Sequence, residues 1–400
     1  LNLHLYPEND PYQAADSYEQ RFDVSFDYPV HFTRRAFERE NTTLVSTFNR
    51  RGEDRRHRVA VYVDGGLATA QPNLCEQIKT YFHAYPEQLE LAGGPTVVPG
   101  GSAAKTDHDL LKDIMWTLGN LHLDRQSFVL AVGGGAMLDA VGFATSLVHR
   151  GLRLVRMPST VLAQNDAGVG VKNGMDEHGQ KNFLGTFAPP FAVINDFSLL
   201  STLSQDAWCG GIAEALKVAI IKDRPFFDWL CENAAGLAGR DMTLMEQLVR
   251  RAAVIHLDHI RTGGDAFEFG SARPLDFGHW AAHKIEMLSA HQVGHGQAVA
   301  VGIALDCYYA GRKGLITDDD FRTVVTALQQ SGLPIYLDIL SQRDSDGELE
   351  ILDGLDQFRE HLGGRLSVTL PDGLGSKCEV HHMDADLLEA GVEELYRLKK

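Results

Sequence analysis

None of the five cysteines, Cys75, Cys209, Cys231, Cys307 and Cys378, pairs with another as CxxC. That argues against a thiolate zinc site and against a disulfide framework, and a reducing, cytoplasmic compartment is expected. Basic residues are also scarce. The 37 Lys and Arg stand against 54 Asp and Glu, for a formal net charge of -17. Such a surface repels phosphodiester backbones, so nucleic acid is not an expected partner. An anionic substrate must therefore be drawn in by a local cluster of Lys, Arg, His or metal. No apolar run approaches the ~20 residues of a membrane helix, and no membrane partner is expected. The opening LNLHLYPENDPYQ lacks the basic start and apolar stretch of a signal peptide. Internal repeats and low-complexity tracts are missing as well.

What is present is the composition of a folded protein, 44% hydrophobic and 23% charged, over 400 residues. That length suits two domains with cores of their own. The first half alternates short β-rich runs (59–63, 96–98, 128–132, 152–156, 191–194) with helical stretches (72–83, 107–118, and one ending near 149). This spacing argues for a mostly parallel, doubly wound sheet. After residue 196 the runs 207–221, 242–259, 278–288, 296–312 and 318–330 read as helices, with 366–370 a late strand and 341–350 a polar loop. The expected fold is an α/β, Rossmann-like domain over 1–196 followed by a mainly α-helical domain over 197–400.

Within FVLAVGGGAMLDAVGF, a strand runs into Gly133-Gly134-Gly135 and then a helix with Asp139 in its first turn. Glycines let a pyrophosphate approach the backbone, and the helix N-terminus offers N–H donors and partial positive charge. The pattern is not GxGxxG, so alone it fits a structural turn equally well. Asp64, at the end of the first clear strand, suits a ribose-hydroxyl acceptor or a turn aspartate before Gly65-Gly66.

Four metal-ligand candidates lie in the helical half: Glu214 in GGIAEALKVAI, His279 and His283 in LDFGHWAAHKIE, and His295 in VGHGQAVAVGI. His279 and His283 are four apart and share a helix face. Two imidazoles, a carboxylate and an open position suit a catalytic zinc. The spacing leaves open which of the four is not a ligand. Lys172, Lys181 and Lys217 stand in low-charge surroundings, GVGVKNG, GQKNFLG and AEALKVA, where basic groups are candidates for phosphate binding. Lys172-Asn173 and Lys181-Asn182 are expected in a loop.

In order, PGGSAAK, GGGAMLD, HRG, MPSTVLAQNDAGVGVKNG, GQKNFLG, GIAEALK, DFGHWAAH and GHGQAV resemble the motifs of 3-dehydroquinate synthase and its sugar-phosphate cyclase relatives. The resemblance runs from about residue 59 to LGGRLSVTLP. It implies an NAD-binding α/β domain followed by a helical metal-binding domain. It further implies zinc, with cobalt a possible substitute, held by Glu214, His279 and His295, leaving His283 to the phosphate and proton-transfer region. By the same resemblance Asp166, Lys172, Lys181, Asn182 and Lys217 contact substrate, and Gly134, Gly135, Asp139, Asp64 and Lys105 lie on the NAD side. Arg150, in HRG, matches an arginine that reaches the phosphate of a neighbouring subunit, which implies a homodimer. The implied reaction oxidises a ring hydroxyl transiently with NAD and eliminates phosphate. It then returns the hydride and closes the opened chain by an intramolecular aldol step.

The motif that faces the substrate carboxylate in dehydroquinate synthase, RxLLNxGH, reads SARPLDFGH here. Ala272 stands at the arginine position, with Arg273 one residue off, and Asp276 replaces the asparagine. An aspartate would repel a carboxylate and accept a hydrogen bond from a hydroxymethyl group. A sugar phosphate without a carboxylate, sedoheptulose 7-phosphate, used by the valiolone-type branch, is therefore the expected substrate. Two further departures are Ser102, at the family's acidic position in the GGExxK turn, and FREHLGG in place of a lysine pair, where Arg359 or His361 is the expected substitute. Metal-dependent polyol dehydrogenases share the two-domain plan, but they perform net oxidation and need no phosphate cluster, so Lys172, Lys181 and Asn182 speak against that group.

Overall fold

The computed structural model describes residues 20–178, 180–267, 274–361 and 364–399. In chain order the first half holds β1 (Val30–Thr33), α1 (Thr43–Phe48), β2 (His57–Asp64), α2 (Gly65–Ala70), α3 (Leu74–Ala84), β3 (Leu89–Leu91), β4 (Thr96–Val98), α4 (Ser102–Thr106), α5 (His108–Asn120), β5 (Phe128–Gly133), α6 (Gly135–Leu147), β6 (Arg153–Pro158), β7 (Lys172–Glu177), β8 (Gln180–Phe187) and β9 (Ala192–Asp196). All strands but β7 and β8 form one parallel sheet of order β1-β9-β6-β5-β2-β3, with β4 continuing the β2 edge beyond β3.

Every residue of β5 is buried, as a parallel sheet covered on both faces requires. The pleat sends alternate residues to opposite layers. Val59, Val61 and Val63 of β2 with Phe128, Leu130 and Val132 of β5 pack on α1 and α3. Ala60, Tyr62, Val129 and Ala131 pack on α5 and α6. From β2 the chain moves to β3 and β4 on one side, then returns to β5 on the other. The crevice between the carboxyl ends of β2 and β5 is thus the topological switch point, where open α/β sheets bind ligands.

The second half holds α7 (Gln205–Lys222), α8 (Arg224–Ala238), α9 (Met242–Thr262), α10 (His279–Leu288), α11 (His295–Arg312), α12 (Asp318–Gln330), α13 (Asp353–His361) and α14 (Ala385–Leu398), with a small antiparallel pair, β10 (Val368–Pro371) and β11 (Lys377–Val380). The largest apolar cluster lies among these helices. The fold class is the expected one, a Rossmann-like parallel sheet followed by a helical part. Among the described residues no helix is long and apolar enough to cross a membrane.

Several elements differ from the sequence reading. The helix expected at 72–83 is α3, preceded by the separate α2. The unexpected α8 starts where Asp223 caps the Phe226 N–H and a proline occupies the first turn. The segment holding Lys172 and Lys181 is not a loop: β7 and β8 form an antiparallel hairpin, with Lys172 opposite Phe187. Its outer strand is largely exposed and shows no apolar alternation, so the period-2 signal is missing. The hairpin is instead held by its ladder and by α6, where Gly142 leaves room for the Asn173 side chain.

Candidate active site

Glu214 lies midway along α7, a helix whose residues from Trp208 to Ile221 are all buried. A helix apolar all round belongs in a core, so a carboxylate at its centre needs a partner. Two glycine pairs bring the partners close. A Cβ on Gly296 would sit 2.1 Å from the Gly210 carbonyl oxygen, so α7 and α11 approach backbone to backbone. A Cβ on Gly302 would sit 2.0 Å from the Gly278 oxygen, which docks the start of α10 on α11. Gly278 itself has φ of 77°, a conformation that favours glycine. Asp306 of α11 fixes this turn, accepting from the Gly278 N–H at 3.0 Å and the Trp280 indole N–H at 2.8 Å.

As a result, ligand atoms of Glu214, His279 and His295 lie within 4.8 Å of one another. His279 Nε2 is 3.8 Å and His295 Nε2 3.4 Å from Glu214 Oε1. The other ring nitrogens are engaged. His279 Nδ1 lies 3.0 Å from the Phe277 carbonyl oxygen and His295 Nδ1 3.2 Å from Glu286 Oε2. Both partners can only accept, so each Nδ1 carries the hydrogen and each Nε2 is the nitrogen turned to Glu214. Neither Glu214 oxygen has a hydrogen bond of acceptable angle, and the residue is 1% exposed. A buried carboxylate whose Oε1 faces two inward imidazole nitrogens is a donor set that a zinc-sized cation fits. His283, one turn beyond His279, has its ring 5.5 Å from that of His279 and 6.3 Å from that of His295. Burial, with His279 adding to it, pushes the His283 imidazole down to about 3.

Lys217, one turn beyond Glu214, places Nζ 2.5 Å from Glu214 Oε2 and 3.8 Å from Asp166 Oδ1. Burial works against its charge, but Asp166 and Glu214 raise the ammonium above its ordinary value. Asp166 also meets His256 Nδ1 at 2.8 Å. Burial opposes the Asp166 charge, but Lys217 and then His256 hold the carboxyl well below the usual range. Asp276, half-buried just before α10, lies near enough to act electrostatically on both Lys217 and His279.

A second cluster centres on the hairpin. Lys181 Nζ pairs with Glu286 Oε1 at 2.5 Å. Lys105 bridges Asp139 Oδ2, at 2.8 Å, and the Asn182 side chain. Lys172 opens β7 and is exposed. At the switch point Asp64 Oδ1 accepts from the Gly66 and Leu67 N–H groups, at 2.8 and 3.2 Å, as the cap of α2. Its other oxygen faces Gly100 and Gly134. Gly134 caps α6 with no side-chain hydrogen bond, and a Cβ there would meet the Thr160 methyl group at 3.4 Å.

Arg150 lies exposed just beyond the carboxyl end of α6, a helix of 13 residues, and so roughly 20 Å along that helix from the Gly134 turn at 1.5 Å per residue. Arg359 pairs with Asp356 at 3.0 Å and is half exposed. Ala272 and Arg273, and the His361 side chain, lie outside the described residues. The sequence reading missed Glu286 and His256. Glu286 resembles a solvated acid beside Lys284, and His256 lies 90 positions from Asp166. A signal for Glu286 was its place on the His279–His283 face, seven residues after His279.

Residues 95–209 match the family model described as 3-dehydroquinate synthase N-terminal, and residues 211–351 match 3-dehydroquinate synthase C-terminal. A 3-dehydroquinate synthase of Ruegeria sp. is 33% identical over 285 residues, 70% of this chain and 74% of that protein. A 2-epi-5-epi-valiolone synthase of Streptomyces glaucescens is 35% identical over 279 residues, 69% of this chain and 70% of the relative. Among solved structures, the 2-epi-5-epi-valiolone synthase of Streptomyces hygroscopicus subsp. jinggangensis, with NAD+ and Zn2+ bound, superposes with a TM-score of 0.83 at 26% identity, covering 95% of this chain and 100% of that one.

Proposed function

This chain belongs to the 3-dehydroquinate synthase family of sugar-phosphate cyclases, and we propose that it cyclises sedoheptulose 7-phosphate to a valiolone-type cyclitol with loss of phosphate. Residues 1–196 bind NAD and residues 197–400 bind metal and substrate in this reading. Support for the two cofactors comes from the solved relative that carries NAD+ and Zn2+, together with the buried Glu214 oxygen facing two imidazole nitrogens and the glycine turn at the switch point.

Glu214, His279 and His295 would hold zinc, and Gly134, Gly135, Asp139, Asp64 and Lys105 would serve NAD. Zinc would polarise a substrate oxygen, and NAD would accept and return a hydride. The chain's own residues do the rest. Lys172, Lys181 and Asn182 attract the phosphate and stabilise its charge as it departs. Arg150, exposed beyond the carboxyl end of α6, would reach the phosphate of a second copy in a homodimer. Asp166 and His256 form a hydrogen-bonded pair beside Lys217, able to exchange a proton with a substrate hydroxyl.

The observation that carries the substrate choice is Asp276 beside Lys217 and His279. Its carboxylate suits a hydroxymethyl group and disfavours a substrate carboxylate. The relative named 2-epi-5-epi-valiolone synthase supports the same choice. The second reading is 3-dehydroquinate synthase, the name of an equally similar relative. The test is incubation of the purified protein, zinc and sub-stoichiometric NAD with sedoheptulose 7-phosphate or 3-deoxy-arabino-heptulosonate 7-phosphate, identifying the product and the phosphate released. A cyclised product from the first sugar alone is expected. Product from the second alone would establish the other reading.

A further inference from the structure

We propose that Glu286 is a positioning residue that aims His295 at Glu214 and, through its other oxygen, anchors Lys181, so that one carboxylate orients the metal side and the anion side of the site. This rests on the metal reading above.

Glu286 follows His279 on α10 by about two turns, which returns it to the same helix face. It is 4% exposed, so a carboxylate there must be matched by partners. Oε2 meets His295 Nδ1 at 3.2 Å, and Oε1 meets Lys181 Nζ at 2.5 Å. The first contact settles which His295 nitrogen carries hydrogen and turns Nε2 to Glu214 Oε1, 3.4 Å away. His279 receives the same service from the neutral Phe277 carbonyl, at 3.0 Å. The two imidazoles therefore differ, because a carboxylate makes the ring it holds a stronger donor than a carbonyl does. The bland alternative is a structural clamp, in which Glu286 only ties the β7–β8 hairpin to α10 through Lys181.

Four variants separate the two. Zinc affinity is measured by chelator competition, and the visible spectrum of the cobalt-loaded protein reports ligand geometry. Glu286→Ala and Glu286→Asp, the latter a methylene short of His295, should each weaken zinc binding by roughly 10- to 100-fold and alter the cobalt bands. Glu286→Gln keeps an acceptor for Nδ1 and should recover most of that affinity. Lys181→Met leaves the His295 contact intact and should keep zinc affinity near the unmutated value. Melting of the metal-free proteins checks folding, and Glu286→Asp carries the test if the alanine variant does not fold. Unchanged zinc affinity and cobalt spectrum in Glu286→Asp would overturn the proposal. So would a loss in Lys181→Met as large as in the Glu286 variants, which would mark a clamp. Failure of the unmutated protein to bind zinc would instead remove the metal reading itself.

Discussion

Lys217 Nζ lies 2.5 Å from Glu214 Oε2, and the two side chains are 2% and 1% exposed. They stand three apart on one face of α7, with Asp166 flanking the lysine on its other side. Removing one partner of such a pair leaves an uncompensated buried charge, at a cost of about 3–5 kcal/mol. Lys217→Met should therefore destabilise the metal-free protein by about that much. Zinc should recover part of the loss by supplying positive charge beside Glu214. Urea unfolding with and without zinc measures both, and equal losses in the two series would count against a cation at Glu214.

His279→Ala removes one of the two nitrogens that face Glu214. Metal content and turnover should fall together, read by elemental analysis and phosphate release. Full zinc occupancy in this variant would show that the metal is held elsewhere.

Asp276 should govern substrate choice. Two unit negative charges at about 4 Å and an effective dielectric of about 20 repel by about 4 kcal/mol, nearly a thousandfold in affinity. The unmutated enzyme should turn over sedoheptulose 7-phosphate and little or none of the carboxylated sugar. Asp276→Asn should narrow the gap in kcat/KM. Comparable efficiency of the unmutated enzyme on both substrates would refute the carboxylate argument.

Arg150 should act across subunits. Arg150→Ala and His279→Ala proteins, each weakly active or inactive alone, should regain activity when unfolded together and refolded as mixed dimers. One site in each mixed dimer then has an intact metal triad and an intact Arg150 from its partner. A fully active monomer would rule this out.

Burial pushes the Asp306 carboxyl up to about 7, against the Trp280 and Gly278 hydrogen bonds that lower it. Between its unfolded value near 4 and about 7 the folded protein holds a proton that the unfolded chain has released, so stability falls as pH rises through that window. The span amounts to roughly 4 kcal/mol. Asp306→Asn should flatten this slope in denaturant unfolding of the metal-free protein from pH 4 to 7. An unchanged slope would assign the dependence to other groups.

Residue order alone was enough for the alternation of strands and helices, the Gly133-Gly134-Gly135 turn, and an acid and histidines set among glycines in apolar helices. Those features are local, because a strand buried on both faces or a helix apolar all round must write its burial into consecutive residues. Spacing left four ligand candidates. The choice to bring Glu214, His279 and His295 within 4.8 Å of one another was made by helix crossings at Gly210–Gly296 and Gly278–Gly302. The hairpin carrying Lys172 and Lys181 was read as a loop, because its stability comes from cross-strand pairing and the α6 surface rather than from alternation. Glu286 and His256 were passed over for a related reason. A polar residue on a helix looks the same in sequence whether it meets water or a distant partner, and only the packing of α10 on the hairpin and of α9 on Asp166 decides which.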